Sequence, residues 1–350
     1  MRHIGRAEGG EAFMKRIAVG ISLALAFGYG AASAETHQVV AQTYYRTFDA
    51  RHPVLLRIRP DDIVITKTID ASGHDDKGEQ RGEAGNPLTG PFFVEGAEPG
   101  DALAVQFRKI RMNRPWGFST YRLGLFALLP STIETLYPSA YKSGVVFPGR
   151  SDVVPWDLDL QRQSLRLREP RSQRVTLEFP ARPMLGCVGV APGDGFVPTS
   201  GPAGPYGGNL DYNEVREGST VLLPVYHPGG LLFIGDGHAL QGDGEATGNG
   251  VETSMDVEFS VEVRKGARLS GPRVETDEHI ISVGAQPEFV STLDRGLQMA
   301  TTDMVRWLSD EYKLEPWAAH LLVSFQGKYD VITVAGSMGL KVPKRYLPAK

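Results

Sequence analysis

Between Met255 and Val263 apolar and polar side chains alternate without a break: Met255, Val257, Phe259, Val261 and Val263 are set against Asp256, Glu258, Ser260 and Glu262. A period of two sustained over this length fits an extended strand with one buried and one wet face. Weaker versions recur. Leu103, Val105 and Phe107 alternate with polar or small residues, and so do Val175, Leu177 and Phe179. Thr220–Tyr226 and Leu231–Ile234 are apolar runs separated by His227-Pro228-Gly229-Gly230, a turn signal. The chain carries 41 glycines and 24 prolines, most of them in short turns between such runs. Many short strands joined by Gly/Pro turns predict a mainly β architecture of the sandwich or barrel kind.

The C-terminal part changes period. Phe289, Val290, Leu293, Leu297, Ala300, Met304 and Leu308 recur every three or four residues, which predicts one amphipathic helix of about six turns. Ser291 and Asp294 give a capping-box signal near its start. Pro316 fits the first turn of a second helix, with Trp317, Leu321, Leu322 and Phe325 as its apolar face, and Val331–Ala335 reads as a strand. The expected class is therefore α+β: mainly β, with an α/β C-terminal part containing two helices. The expected divisions are a leader at 1–34, an N-terminal β domain at 35–185, and a region at 186–350 that ends in the helical pair.

The leader is read from composition. Met14-Lys15-Arg16 is a basic start, Ile17 to Tyr29 is apolar, and Ala32-Ser33-Ala34 is an A-x-A cleavage pattern before Glu35. These are the three regions of a secretory signal peptide, with Met14 as the expected initiator and cleavage after Ala34. The mature protein is expected in the periplasm or outside the cell, with no membrane contact after cleavage. Lys and Arg number 37 against 41 Asp and Glu, a net charge of -4, so there is no basic footprint for nucleic acid. Cys187 is the only cysteine, which excludes an intrachain disulfide and a cysteine-rich zinc site. It lies in the apolar run Leu185 to Val190 and reads as a buried, inert thiol.

No nucleophile elbow, H-E-x-x-H, Walker loop or dinucleotide loop is present. One segment concentrates chemistry instead: Gly235-Asp236-Gly237-His238-Ala239-Leu240-Gln241-Gly242-Asp243-Gly244-Glu245, continuing to Glu252. It follows an apolar strand and precedes the alternating one, so it reads as a loop at the end of a sheet. An imidazole among carboxylates suits Zn²⁺ or a similar divalent ion, and a carboxylate left over can act as a base. The same residues in an ordinary polar turn would satisfy backbone N–H groups.

Asp236 to Glu252 resembles the signature of the acetamidase/formamidase family, G-D-x-H-x-x-Q-G-D-G-E followed by a glycine-rich turn and Glu. Asn86 to Asp101 (Asn-Pro-Leu-Thr-Gly-Pro-Phe-Phe-Val-Glu-Gly-Ala-Glu-Pro-Gly-Asp) is similar to its T-G-P-[FVI]-x-V-E-G-A-E-P-G-D block. Gly189-Val190-Ala191-Pro192 and Gly207-Gly208-Asn209-Leu210-Asp211 resemble its G-V-A-P and G-G-N-x-D elements, and Ala300 to Ser324 its C-terminal helical pair. Two stretches depart from the pattern: Ala246 to Gly250, and Gly237 with the His227–Gly230 turn.

The resemblance implies hydrolysis of a small linear amide, such as formamide or acetamide, to carboxylate and ammonia. It also implies a divalent metal and a homo-oligomer. Zinc is the expected ion, with calcium second. With no Ser–Lys or Cys–Glu–Lys arrangement readable, metal-activated water is the mechanism the residues allow. Asp236 and His238 are expected as ligands, joined by Asp70, His74, Glu95 or Glu252, with Glu245 or Asp243 as general base. Asn209 and Asp211 would orient the amide or water, or simply hold their loop. Trp116, Phe118 and Tyr121 would wall a pocket or pack a surface loop. The competing functional class is a catalytically silent binding or scaffold protein on the same metal-binding fold; a hydrolase of another C–N bond, such as a cyclic amide, is a third.

Overall fold

The computed structural model describes residues 34–123, 127–129, 131, 146–147, 150, 152–286 and 292–349. The leader, most of the expected helix start (Phe289, Val290, Ser291) and parts of 124–151 lie outside the described residues. Residues Ala34–Lys350 form one compact unit. The strand Met184–Val190 crosses the division expected at 185/186, and residues from both sides of it interleave in both large sheets.

Among the described residues, nine strands form the largest sheet. Their spatial order is Thr36–Gln38, Ile63–Thr68, Met255–Arg264, Ala102–Met112, Thr220–Pro224, Arg273–Glu275, His279–Gly284, Ser337–Pro343 and Lys328–Thr333. A six-stranded sheet runs Ala203–Gly204, Gly207–Asn209, Met184–Val190, Leu232–His238, Leu88–Val94 and Leu56–Ile58. The alternating segment is the strand Met255–Arg264, with Met255, Val257, Phe259 and Val261 buried and Glu262 exposed. Its Phe259 ring meets Phe92 of the second sheet edge-on at 5.1 Å, so the inner faces of the two sheets share one apolar core. A smaller sheet contains Trp116–Thr120, Val153–Asp159, Ser164–Leu167 and Glu178–Pro180. The strand expected through Val175, Leu177 and Phe179 shrinks to Glu178–Pro180, exposed throughout. It is the edge strand of this sheet, paired with Ser164–Leu167.

Two helices follow, α1 (Leu293–Asp310) and α2 (Pro316–Gln326). Ala300, Met304, Trp307 and Leu308 of α1 pack with Ile280, Leu340 and Val342 of the large sheet, whereas Leu293 and Leu297 remain exposed. Pro316 opens α2 as expected. The face buried by α2, however, is Ala319 and Val323; Trp317, Leu321 and Phe325 point outward. A small-residue face lets α2 approach α1 closely, which turns its bulky residues to the other side. No helix among the described residues is long and apolar enough to cross a membrane.

Candidate metal centre and active site

The strand Leu232–His238 runs four residues further than its apolar pattern and carries Asp236 and His238 into the protein. Both are therefore strand residues, not loop residues as expected. Backbone pairing with Met184–Val190 joins Leu185 to Gly237 and Cys187 to Gly235. The pairing skips Asp236, whose φ of 57° lies in the left-handed region. After the turn that carries Glu245, the chain returns alongside the strand. His238 pairs with Glu252, and Glu252 with Phe118 of the small sheet. Asp211 arrives from the segment after Gly207–Asn209, its backbone N–H donating to the carbonyl of Gly186 at 3.1 Å.

Two sets of donor atoms result, each within 4.8 Å of one another: Asp211, His238 and Glu245, and Asp236, His238 and Glu252. Asp211, Asp236, His238 and Glu252 are buried, and Glu245 is half-buried. The imidazole is fixed by a short relay. The Gln241 amide N–H donates to the carbonyl of Asp211, which turns its Oε1 to His238 Nδ1 at 2.7 Å. One proton therefore sits on Nδ1, and Nε2, which faces Asp236 Oδ1 at 3.5 Å and Glu252 Oε1 at 3.2 Å, is the nitrogen that can ligate a cation once its own proton is displaced. Asn86 donates to Asp236 Oδ2 at 3.1 Å, and Asn209 Nδ2 to Asp211 Oδ2 at 2.6 Å. What remains unpaired is Asp211 Oδ1, Asp236 Oδ1, His238 Nε2 and Glu252 Oε2. Four orphaned buried polar atoms in one cluster, all of them potential ligand atoms, fit a divalent cation.

The electrostatics point the same way. Burial pushes the Asp211 carboxyl up, Asp236 pushes it further, and it reaches about 8. Burial and then Asp211 raise Glu245 well above the carboxylate range. Glu252 rises to about 7, mainly by burial, against the pull of His238. Burial alone would lower the pKa of His238, yet Glu252 and Asp236 together hold it well above the usual value. Protons thus occupy this cluster near neutral pH when no cation neutralises it, and a cation must displace them. Backbone strain concentrates here too: Asp211, Asp236 and Glu245 all have left-handed φ, of 46°, 57° and 43°. Such conformations cost of order 1 kcal/mol each and persist where the surroundings impose them.

The remaining expected ligands and base lie elsewhere. Asp70 is buried, but its Oδ1 accepts the N–H groups of Ser72 and His74 at 2.9 Å, and its Oδ2 pairs with Arg114 at 2.6 Å. Burial would raise its pKa, but His74 and Arg114 hold it below the usual range. Its lone pairs are committed to these partners, which makes it structural. His74 stands beside it, Nδ1 3.6 Å from Asp70 Oδ1, with its ring stacked on Phe147. Glu95 is exposed in the turn after Leu88–Val94. Asp243 is exposed and accepts from Asn213 at 2.7 Å. Asn209 stands behind Asp211, accepting from Cys187 Sγ at 2.9 Å. Cys187 is fully buried, its thiol pushed far up by burial and then by Asp236 and Asp211. Trp116 stacks under the Arg114 guanidinium at 3.7 Å beside the turn at Gly78, and Phe118 is buried in a strand with its ring edge-on to Phe147 at 4.8 Å, so both pack against loops.

Asp211, expected only to orient or to hold its loop, thus belongs to the donor set; its place two residues after Asn209 was the available signal. Gly186 was missed. A Cβ there would lie 2.5 Å from both Asp211 Oδ1 and Asp236 Oδ2, so only glycine leaves room for the two carboxylates.

A family model described as the Acetamidase/Formamidase family matches residues 197–294, which include Asn209, Asp211, Asp236, His238, Glu245 and Glu252. A protein named as a formamidase in Schizosaccharomyces pombe is 32% identical over 194 residues, 45% of this chain and 46% of that protein. A formamidase of Methylophilus methylotrophus is 28% identical over 194 residues, 46% of this chain and 47% of its own length. The chain thus spans about half the length of these curated relatives. The crystal structure of an acetamidase from Yersinia enterocolitica superposes with a TM-score of 0.74 at 28% identity, covering 91% of this chain and 95% of that one. The motif blocks, the matched model and the shared architecture agree: over residues 197–294 the chain is similar to the acetamidase/formamidase family, and its fold is that of the acetamidase structures.

Proposed function

We propose that this protein hydrolyses a small linear amide of the formamide or acetamide type to its carboxylate and ammonia, at the cluster around His238. The observation that carries this reading is the set of four orphaned donor atoms on Asp211, Asp236, His238 and Glu252, placed beside Glu245. His238 Nε2, Asp236 and Glu252 would hold the cation. Bound there, a divalent ion, zinc being the expected one, would supply Lewis-acid polarisation of the amide carbonyl and acidify a water.

Asp211 and Glu245 then form a carboxyl pair that holds a proton near neutral pH because their charges repel in a buried setting. Such a pair can accept a proton from the attacking water and return one to the departing nitrogen. Water adds to the carbonyl carbon, the C–N bond breaks, and the amine leaves as ammonia. Asn209 and Gln241 hold Asp211 and His238 in place and take no proton. The substrate is small because the cluster is enclosed by strands on several sides, and the expected homo-oligomer and export after Ala34 belong to the same proposal.

Purified protein is assayed for ammonia release from formamide and acetamide, with and without chelator, and for bound metal by atomic emission. Chelator-sensitive release is expected. Metal binding with ligand-induced thermal stabilisation but no turnover of either amide would favour the silent binding protein instead.

A further inference from the structure

Asp211 and Glu245 sit on irregular backbone, and the Asp211 segment leans on the strand Met184–Val190 through the bond from its N–H to Gly186. Both segments are also tied to the C-terminal hairpin of strands Lys328–Thr333 and Ser337–Pro343. The residue after Asp211 is Tyr212, buried, whose hydroxyl donates to Asp330 Oδ2 at 2.7 Å. Lys341, on the facing strand, contacts Asp330 at 2.6 Å and Glu214 at 2.7 Å, so it holds the same segment a second time. The residue before Glu245 is Gly244. Its N–H donates to the carbonyl of Val331 at 2.7 Å, and its carbonyl accepts from the N–H of Val334 at 2.7 Å.

We propose that this hairpin is a clamp that sets the separation of the Asp211 and Glu245 carboxyls, with Asp330 and Tyr212 as positioning residues for the proton-transferring pair. The inference rests on the amide-hydrolase reading for its catalytic consequence, but the clamp itself does not. Asp330 acts on Asp211 through Tyr212, and Val331 beside it, with Val334 just past the strand, acts on Glu245 through Gly244. One strand therefore grips both sides of the pair from outside the cluster, and touches neither carboxyl. This explains a network of buried Tyr212 and Asp330 with half-buried Lys341 and Glu214 that no step of the reaction uses. A general acid–base pair displaced by about 1 Å loses much of its effect, because reacting groups must lie within hydrogen-bond reach.

The test uses the full chain and three variants: Asp330→Ala, Tyr212→Phe and Asp330→Asn. Hydrogen–deuterium exchange is followed in peptides covering 209–216 and 242–248. Asp330→Ala is expected to speed exchange in both, and Tyr212→Phe in 209–216. Asp330→Asn, which keeps an oxygen for the Tyr212 hydroxyl, should recover most of the protection. For amide turnover, Asp330→Ala and Tyr212→Phe should lower kcat by roughly tenfold, with KM within about twofold. Unchanged exchange in 242–248 for Asp330→Ala overturns the clamp. So does a fall in Tm with kcat intact, since that is a purely structural role. If Asp330→Ala fails to fold, Tyr212→Phe decides the matter by exchange in 209–216 and by kcat. If wild type hydrolyses no amide, the functional reading falls while the exchange results still decide the clamp.

Discussion

Gly186→Ala isolates the geometry of the cluster from its chemistry. Gly186 lies in the strand Met184–Val190 and has no left-handed φ, so its backbone accepts alanine without strain. The new methyl would sit 2.5 Å from Asp211 Oδ1, 2.5 Å from Asp236 Oδ2 and 3.1 Å from Asp236 Cγ. Ordinary contact begins near 3.4 Å, so each of the two carboxylates must retreat by about 1 Å. Their other contacts resist this: Asp236 is held by Asn86 and Asp211 by Asn209. Overpacking of this size costs about 1–3 kcal/mol of stability, which leaves the protein folded. A 1 Å misplacement of catalytic or ligating groups costs on the order of 10²-fold in rate. The expected outcome is a folded variant with a slightly lower Tm, reduced bound metal and ammonia release down by about two orders of magnitude. Thermal melts, atomic emission and an ammonia assay read the three quantities on one preparation. A variant with wild-type metal content and wild-type kcat would show that Asp211 and Asp236 do not share a working site.

The other expectations follow from the same cluster. His238→Ala should lose both metal and turnover, whereas Glu245→Gln should keep the metal while kcat falls by roughly 10² to 10⁴, the usual worth of a general base; loss of metal from Glu245→Gln would make Glu245 a ligand. Asp70→Ala should retain the metal but destabilise the fold by about 3–5 kcal/mol, because it strands the buried Arg114 guanidinium; atomic emission showing metal loss at native stability would restore Asp70 as a ligand. The metal-free protein should lose stability as pH rises from about 5 to 8. Folded Glu252 and Asp211 hold protons up to about 7 and 8, against roughly 4.3 and 3.9 when unfolded. The folded state therefore binds more protons in that window, and the stabilisation they bring is lost on deprotonation. His238, also raised, acts in the same direction. Excess divalent cation should abolish the loss, and a chelated protein whose Tm is flat across this window would refute the assignment.

The strand Met255–Arg264 was legible because one sheet face is buried and the other is wet, so burial writes itself as alternation. The strand Leu232–His238 was legible only to Ile234. Gly235, Asp236, Gly237 and His238 are residue types that strands avoid, and they read as a loop. The structure shows why glycine stands there: a Cβ on Gly237 would lie 2.4 Å from Met255 Cγ, and one on Gly235 2.9 Å from the Pro87 carbonyl. Glycine in this strand marks close approach of a neighbour, a signal that needs the neighbour to be read. His238, Asp236, Glu252 and Glu245 were found because they crowd together in sequence. Asp70 misled for a related reason. Nothing beside it in sequence marks its carboxylate as already claimed, and the Arg114 that claims it lies 44 residues away. The apolar face of α2 was misread because Trp317, Leu321 and Phe325 have helical spacing whichever side they face.

Asp70 and the His238 cluster together form an internal comparison. Both place carboxylate in the dry interior, where two like charges 4 Å apart repel by about 4 kcal/mol at an effective dielectric of 20. At Asp70 the fold neutralises the charge with a fully buried arginine and two backbone N–H groups, and the carboxyl titrates below its usual range. At the cluster it supplies four carboxyls with a single imidazole, and three of those carboxyls titrate high. The chain can place a buried arginine where a carboxylate only has to be stabilised. Withholding one at the cluster, while holding three of its carboxylates on left-handed backbone, keeps free both the charge and the lone pairs that a divalent cation and a transferable proton require.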